Sequence, residues 1–197
     1  MIAAFALTPL LLAAGPSASD PVRALAGRYS WHFRNGLVDG SSYWSDDVLE
    51  VVPVDATHAY IRAATQFYNG HSCSLAGVGA AEGDAIVYRD PAPADAYYPR
   101  CVLTVRHAGD KLSFDDSDGG CKKYCGARGG FHNASLPWAS KRPIRYMPRL
   151  KGSAEYRAAI TEWKTGKPQP RKRPSGTIRA APNRARRWRC CTMPVRR

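Results

Sequence analysis

The segment Cys121–Phe131 carries the densest set of chemically useful residues in this 197-residue chain. Two cysteines begin it, and three glycines then surround one arginine, Arg128. A guanidinium forms strong charge-assisted hydrogen bonds with carboxylates, and a loop constrained before binding loses little entropy when it binds. We therefore predict a loop that presents one positive side chain to an acidic cleft. The predicted binding residues are Arg128, Gly126, Gly129 and Tyr124. The alternative, in which Arg128 pairs with a local aspartate and is structural, stays open.

Both ends of the chain differ from the body that must position this loop. Residues 2–14 are apolar and small residues follow, which predicts a signal peptide at 1–19. Twelve basic residues and no acid follow Glu162, so the formal charge of +13 belongs mostly to the C-terminal end. The segment 166–197 is rich in arginine and proline and aperiodic, which predicts a disordered tail. Its single tryptophan, Trp188, argues against nucleic-acid binding by aromatic stacking.

Four cysteines lie in the body, and an even number behind a signal peptide predicts two disulfides. These residues are Cys73, Cys101, Cys121 and Cys125. We predict a Cys121–Cys125 pair because four residues of a helical turn or tight loop separate the Cα atoms by about 6 Å. Cys73 and Cys101 are then left as partners. That pair requires Cys101 to lie at a strand end, since cysteines flanking a middle strand would be roughly 10 Å apart.

Metal and catalytic motifs are weak or missing. Zinc could use Cys121 and Cys125 with His132 or His71, but the chain has only one suitably spaced pair, and export favours disulfides. The acidic segment 115–120 does not match the ligand spacing of an EF-hand. No Gly-x-Ser-x-Gly or Ser-x-x-Lys motif occurs, and the five histidines fit no catalytic signature. We therefore expect neither enzymatic activity nor a cofactor.

The sequence of the body predicts an antiparallel β-meander. Polar and apolar residues alternate in several short segments, and Asn69-Gly70, Gly83-Asp84 and Gly109-Asp110 mark turns between them. Seven or eight strands at this spacing predict a small barrel or sandwich, with a lipocalin-like order of elements. An apolar stripe behind Ser153 predicts a C-terminal helix at 153–165. The predicted disulfide-linked β domain is 20–152. No apolar run is long enough for a membrane-spanning helix.

Two segments carry a resemblance to known proteins. Asn69-Gly70-His71-Ser72-Cys73, followed by Cys121-x-x-Tyr-Cys-Gly-Ala-Arg-Gly, resembles small secreted bacterial proteins, some of which are similar to periplasmic lysozyme inhibitors. In one inhibitor class a Ser-Gly-Ala-Arg-type segment of a small disulfide-linked barrel blocks the acidic cleft of the enzyme. The matching residues here are Gly126, Ala127 and Arg128, with Cys125 in the place of the serine.

The resemblance implies an exported, periplasmic or secreted, non-enzymatic binding protein. Its expected partner is a lysozyme or another cell-envelope protein, bound through the Cys121–Phe131 loop. The alternative is a lipocalin-like carrier of a small apolar ligand. An interior cavity lined by Trp31, Phe33, Ile61 and Phe67 would favour the carrier, whereas a filled interior with an exposed Arg128 loop would favour the inhibitor.

Overall fold

The structure is a computed structural model that describes residues 20–169. The predicted signal peptide at 1–19, and the predicted tail beyond residue 169, lie outside the described residues. Eight strands form one antiparallel sheet in which each strand pairs with the next along the chain. This order curls the sheet into a nearly closed barrel, which confirms the predicted mainly β fold. The strands are β1 (Gly27–Gly36), β2 (Ser42–Pro53), β3 (His58–Gln66), β4 (Ser72–Glu82), β5 (Ala85–Arg89), β6 (Val102–Ala108), β7 (Lys111–Asp115) and β8 (Ala134–Pro137).

Alternation of side chains fixes which face of each strand points inward. In β3, Ala59, Ile61, Ala63 and Thr65 are all buried, as the period-2 pattern predicts. The turn after β3 also follows its sequence signal, because Asn69 and Gly70 both adopt positive φ, at 60° and 72°. This turn brings β4 back beside β3, with Cys73 opposite Thr65.

Side chains fill the interior of the barrel. Tyr29, Ile61, Leu103 and Phe114 are each at most 1% exposed. A void large enough for water would leave such side chains accessible, so none adjoins them. The interior therefore offers no space for an apolar ligand beside these side chains.

Helices cover one end and one outer face of the barrel. The first, α1 (Pro21–Ala24), buries Val22, and the hydroxyl of Tyr29 donates to the Leu25 carbonyl just after the helix. The others are α2 (Met147–Lys151) and α3 (Ala154–Thr165). Ser153 caps α3 by accepting a hydrogen bond from the Tyr156 backbone N–H, as an N-cap serine does. The α3 helix packs outside the sheet, where the rings of Tyr156 and Tyr60 lie 4.8 Å apart.

The barrel has one seam, between β1 and β8. These strands lie side by side, but in the described part of the chain no ladder of hydrogen bonds joins them. The segment after β8 crosses this edge and forms a single antiparallel bridge between Arg28 and Arg142. Trp31 lies at the seam and is 52% exposed, although it has the same inward parity as the buried Tyr29. Its position in the alternation therefore does not bury Trp31, because no strand pairs with β1 on the β8 side to cover it.

Candidate functional site

The two disulfides pair differently from the prediction. Cys73 bonds Cys125 and Cys101 bonds Cys121, with Cα separations of 4.0 and 4.4 Å. A Cys73–Cys101 bond is impossible because β5 lies between β4 and β6. The two cysteines are therefore separated by two strand spacings, roughly 10 Å in total, which a disulfide cannot span. Register separates them further, since the Cys101 carbonyl accepts from the Asp90 N–H beyond the end of β5.

The segment Gly120–Tyr124 is a 3₁₀ turn that directs its cysteines to different partners. Cys121 is buried and faces Cys101, whereas Cys125 leaves the turn in extended conformation beside Cys73. Gly120 allows this approach, because an added Cβ would lie 2.5 Å from the Arg100 carbonyl oxygen. The predicted Cys121–Cys125 bond is therefore wrong. The two residues are close in sequence, but Cys125 bonds Cys73 at the start of β4 and Cys121 bonds Cys101 just before β6. All four cysteines within residues 20–169 are in disulfides, so none of these four is available to bind zinc as a thiolate.

Arg128 lies in a tight turn at the barrel end that carries both disulfides. The Gly129 N–H donates to the Gly126 carbonyl at 3.0 Å, so Ala127 and Arg128 occupy the two central positions and are exposed. The Gly126 N–H donates to the Ser72 carbonyl at 2.8 Å, which joins the turn to the start of β4. Three of the predicted binding residues therefore belong to one turn.

The Cys73–Cys125 disulfide lies directly beneath this turn. Gly129 is buried, and an added Cβ there would lie 2.7 Å from the Cys73 Sγ. A side chain at this position would therefore lift the turn off the disulfide. Gly126 has more room, since its nearest neighbour would be the His71 ring at 3.3 Å.

Lys122 stabilises the turn from within. Its ammonium donates to the Ala127 carbonyl at 3.0 Å and also to the Gly129 carbonyl. Among residues 20–169, by contrast, the Arg128 guanidinium has neither a hydrogen bond nor an ion pair. The turn thus presents an unpaired positive charge on a constrained backbone, so the alternative of a local aspartate partner for Arg128 finds no support in this part of the chain.

Tyr124 contacts a different loop, the one between β5 and β6. Its hydroxyl donates to the carboxylate of Asp90, which is 2% exposed and also pairs with the Lys123 ammonium at 3.1 Å. Tyr124 therefore anchors the 3₁₀ turn to the loop between β5 and β6. Sequence reasoning missed the supporting roles of Lys122, Lys123 and Asp90. The two lysines between the cysteines were the available signal, but their acceptors depend on the tertiary fold.

Neighbouring loops add an exposed aromatic group to the same end of the barrel. Tyr68, in the turn between β3 and β4, is 44% exposed, and its hydroxyl donates to the Leu37 carbonyl at 2.9 Å. Phe67 of the same turn lies against Gly129, where an added Cβ would be 3.2 Å from its ring. An arginine and a tyrosine thus project from adjoining loops, and both residue types are enriched at the centres of protein interfaces.

Comparison of the chain with known protein families, with curated proteins and with solved structures gives no significant match. Within residues 20–169, no cluster of three or more histidine, cysteine or acidic residues is arranged to hold a metal ion. In the same range no helix is long and apolar enough to cross a membrane.

Proposed function

We propose that this protein is an exported, periplasmic or secreted, binding protein that inhibits a lysozyme by inserting the Arg128 turn into its acidic cleft. The observation that carries the proposal is the exposed guanidinium of Arg128, which has no partner among the described residues and lies on a turn tied down by a disulfide and two lysine hydrogen bonds. Two disulfides suit an oxidising, extracytoplasmic compartment.

The chemistry of the target matches this turn. Glycosidases that cleave polysaccharides place two carboxyl groups across the scissile bond, so their clefts carry negative charge. An arginine held at the tip of a narrow turn can reach such groups and bind them with both arms of its guanidinium. Because the backbone is already constrained, binding does not have to order it.

The test measures inhibition of c-type, g-type and i-type lysozymes by the full-length protein at micromolar concentrations. Arg128→Ala is expected to weaken inhibition by about 2 kcal/mol or more, roughly 30-fold, as for loss of a buried interface charge. Arg128→Lys should fall between the two, because it keeps the charge and loses the planar fork. Arg106→Ala is the matched control, since Arg106 is an exposed arginine on β6.

Failure of the wild-type protein to slow any of these lysozymes overturns the proposal. It also falls if Arg106→Ala weakens inhibition as much as Arg128→Ala, because the effect would then be one of net charge. The melting temperature of each variant is measured alongside. Unfolding of Arg128→Ala would make Arg128 a structural residue and count against the proposed contact.

A further inference from the structure

A basic cleft lies on the outer face of the barrel, far from the Arg128 turn. It is formed where the segment 142–153 passes over the outward faces of β1 and β3, and its volume is about 580 Å³. This falls within the range of about 300–1,000 Å³ typical of small-molecule sites. Five of the lining residues are arginines: Arg28, Arg62, Arg142, Arg145 and Arg149.

Arg28 and Arg142 lie directly opposite each other. Each backbone N–H donates to the carbonyl of the other at 2.8 Å, forming the bridge that crosses the seam. Directly opposed residues of an antiparallel pair project to the same face, where like charges repel and destabilise the pairing. Both side chains line the cleft, so an anion between them would turn this repulsion into attraction.

The floor of the cleft is held in place by a buried carboxylate. Glu50 on β2 has a fully buried side chain, accepts from the Arg62 Nε at 2.6 Å and also accepts from the Tyr146 hydroxyl. The Arg149 guanidinium lies over the Tyr146 ring, 5.2 Å from its centre. These contacts orient Arg62 and Arg149 before any ligand arrives, which lowers the entropic cost of binding.

Positive charge in the cleft exceeds the available acid. Arg62 pairs with Glu50 and lies 4.0 Å from the exposed Glu155. In the described part of the chain, Arg28, Arg142, Arg145 and Arg149 have no acidic partner within 4.0 Å. Arg28 donates to the Ser30 hydroxyl, and Arg142 donates to the Ala139 and Lys141 carbonyls, so these contacts are neutral and leave the positive charge uncompensated. Several guanidiniums without a carboxylate partner along one cleft suit a ligand with more than one negative charge.

We propose that this cleft binds a phosphoryl group of a small phosphorylated ligand, clamped between Arg28, Arg142 and Arg145. Phosphate oxygens match the planar fork of arginine, and a dianion neutralises two guanidiniums at once. The volume exceeds what one phosphoryl group requires, and Pro143 and Leu150 provide an apolar wall for the remainder of the ligand. This binding is independent of the lysozyme contact, since Arg28 lies at the opposite end of β1 from the loops that carry Tyr68 and Arg128.

The test is calorimetric titration of the full-length protein with inorganic pyrophosphate at fixed ionic strength. Arg28→Gln/Arg145→Gln is compared with Arg106→Gln/Lys111→Gln, a control that removes the same charge from exposed positions on β6 and β7. The cleft variant should bind at least about tenfold more weakly than the control. Both proteins retain the basic C-terminal end, so binding there cancels in the comparison.

A second arm distinguishes soluble phosphates from lipid headgroups by sedimentation with phosphatidylglycerol–phosphatidylcholine vesicles. If the cleft variant alone loses vesicle binding and the wild-type protein binds pyrophosphate weakly, the phosphoryl group belongs to a lipid headgroup. If the wild-type protein binds pyrophosphate tightly and the cleft variant still binds vesicles, the phosphoryl group belongs to a soluble ligand. Equal affinity of the cleft and control variants in both arms overturns the proposal.

Without ligand, Arg28→Gln should melt at or above the wild-type temperature, because it relieves the repulsion with Arg142.

Discussion

Cys73 and Cys125 are joined both by their disulfide and by an antiparallel backbone bridge, with Cα atoms 4.0 Å apart. The bridge continues to the next residue, where the Gly126 N–H donates to the Ser72 carbonyl. The Arg128 turn is therefore attached to β4 as a short extra strand would be, and not only through one covalent bond. The consequence is a loop whose position depends on the start of a buried strand.

Peptide mapping without reduction should recover the pairs Cys73–Cys125 and Cys101–Cys121. We expect Cys73→Ser/Cys125→Ser to lower the free energy of unfolding by about 2–4 kcal/mol, because it opens a loop of 52 residues. Trypsin should also cut after Arg128 faster in this variant, since the turn loses its support. Cys101→Ser/Cys121→Ser is the control, and equal cleavage at Arg128 in the two variants would contradict the assigned role of the Cys73–Cys125 bond.

Lys122→Ala is expected to loosen the Arg128 turn while leaving the barrel intact. Its ammonium is the side-chain donor to two carbonyls of the turn, Ala127 and Gly129, and a hydrogen bond from a charged group contributes about 1.5–3 kcal/mol. Amide exchange at Gly129, whose N–H donates to the Gly126 carbonyl, should therefore accelerate by about tenfold or more. Lys111→Ala, which removes an exposed lysine from β7, should leave exchange in the turn unchanged. Unaltered exchange in Lys122→Ala would show that the disulfide alone holds the turn.

Patterns of polar and apolar residues were sufficient to predict the meander, because each strand pairs with its neighbour and every turn signal is local. The inward face of β3 and the Asn69-Gly70 turn follow from this short-range information. The disulfide pairing could not be predicted in the same way, since it depends on the register of β4 and β6 across β5. In α3, Glu162 is buried on the packed face and Ile160 is only half-buried, which a stripe of apolar residues does not anticipate.

The candidate sites likewise include features that local sequence predicts and features that depend on the tertiary fold. The glycines around Arg128 marked a tight turn, and the turn is present. The arginine cleft was missed because Arg28, Arg62 and Arg142 come from three distant segments and converge only in the folded chain. Its one local signal is the recurrence of basic residues at Arg142, Arg145 and Arg149, spaced three and four apart.

Gly77→Ala should destabilise the protein by about 2 kcal/mol or more. The Tyr88 ring covers Gly77 so closely that an added Cβ would lie 2.2 Å from the Tyr88 Cε2, and a filled interior cannot absorb the extra group. Gly130→Ala, where the Cβ meets open space, should change the stability by less than about 0.5 kcal/mol. In a Tyr88→Leu background the cost of Gly77→Ala should shrink. A cost unaffected by Tyr88→Leu would mean that the Tyr88 ring is not the cause.

The contribution of Asp47 to the stability of the protein should fall as the pH rises from about 4 to about 6, because in that window Asp47 ionises in the unfolded state and largely keeps its proton in the folded state. Burial raises the pKa of Asp47 to about 6, against the opposing hydrogen bond from the Gln66 N–H. Since the folded-state pKa exceeds the unfolded value, the folded state binds the proton more tightly, and this stabilisation is lost above pH 6.

Asp47→Asn removes this titration. Relative to the wild type, the variant should gain about 1–2 kcal/mol in unfolding free energy between pH 4 and pH 7, after allowance for the partial exposure of Asp47. Urea unfolding at the two pH values measures the difference. Asp84→Asn is the control, because Asp84 is an exposed aspartate in the turn between β4 and β5. A gain of the same size in Asp84→Asn would assign the pH dependence to surface charge.

The seam between β1 and β8 has a consequence for how the barrel opens. A fully closed barrel must break two ladders to release any strand, whereas β8 is joined through a ladder to β7 alone in the described chain. Native-state opening should therefore start at β8, and amide protons there should exchange through small local fluctuations and not through global unfolding. Trp31, partly exposed beside this edge, places an intrinsic fluorophore where such openings would change its solvent contact.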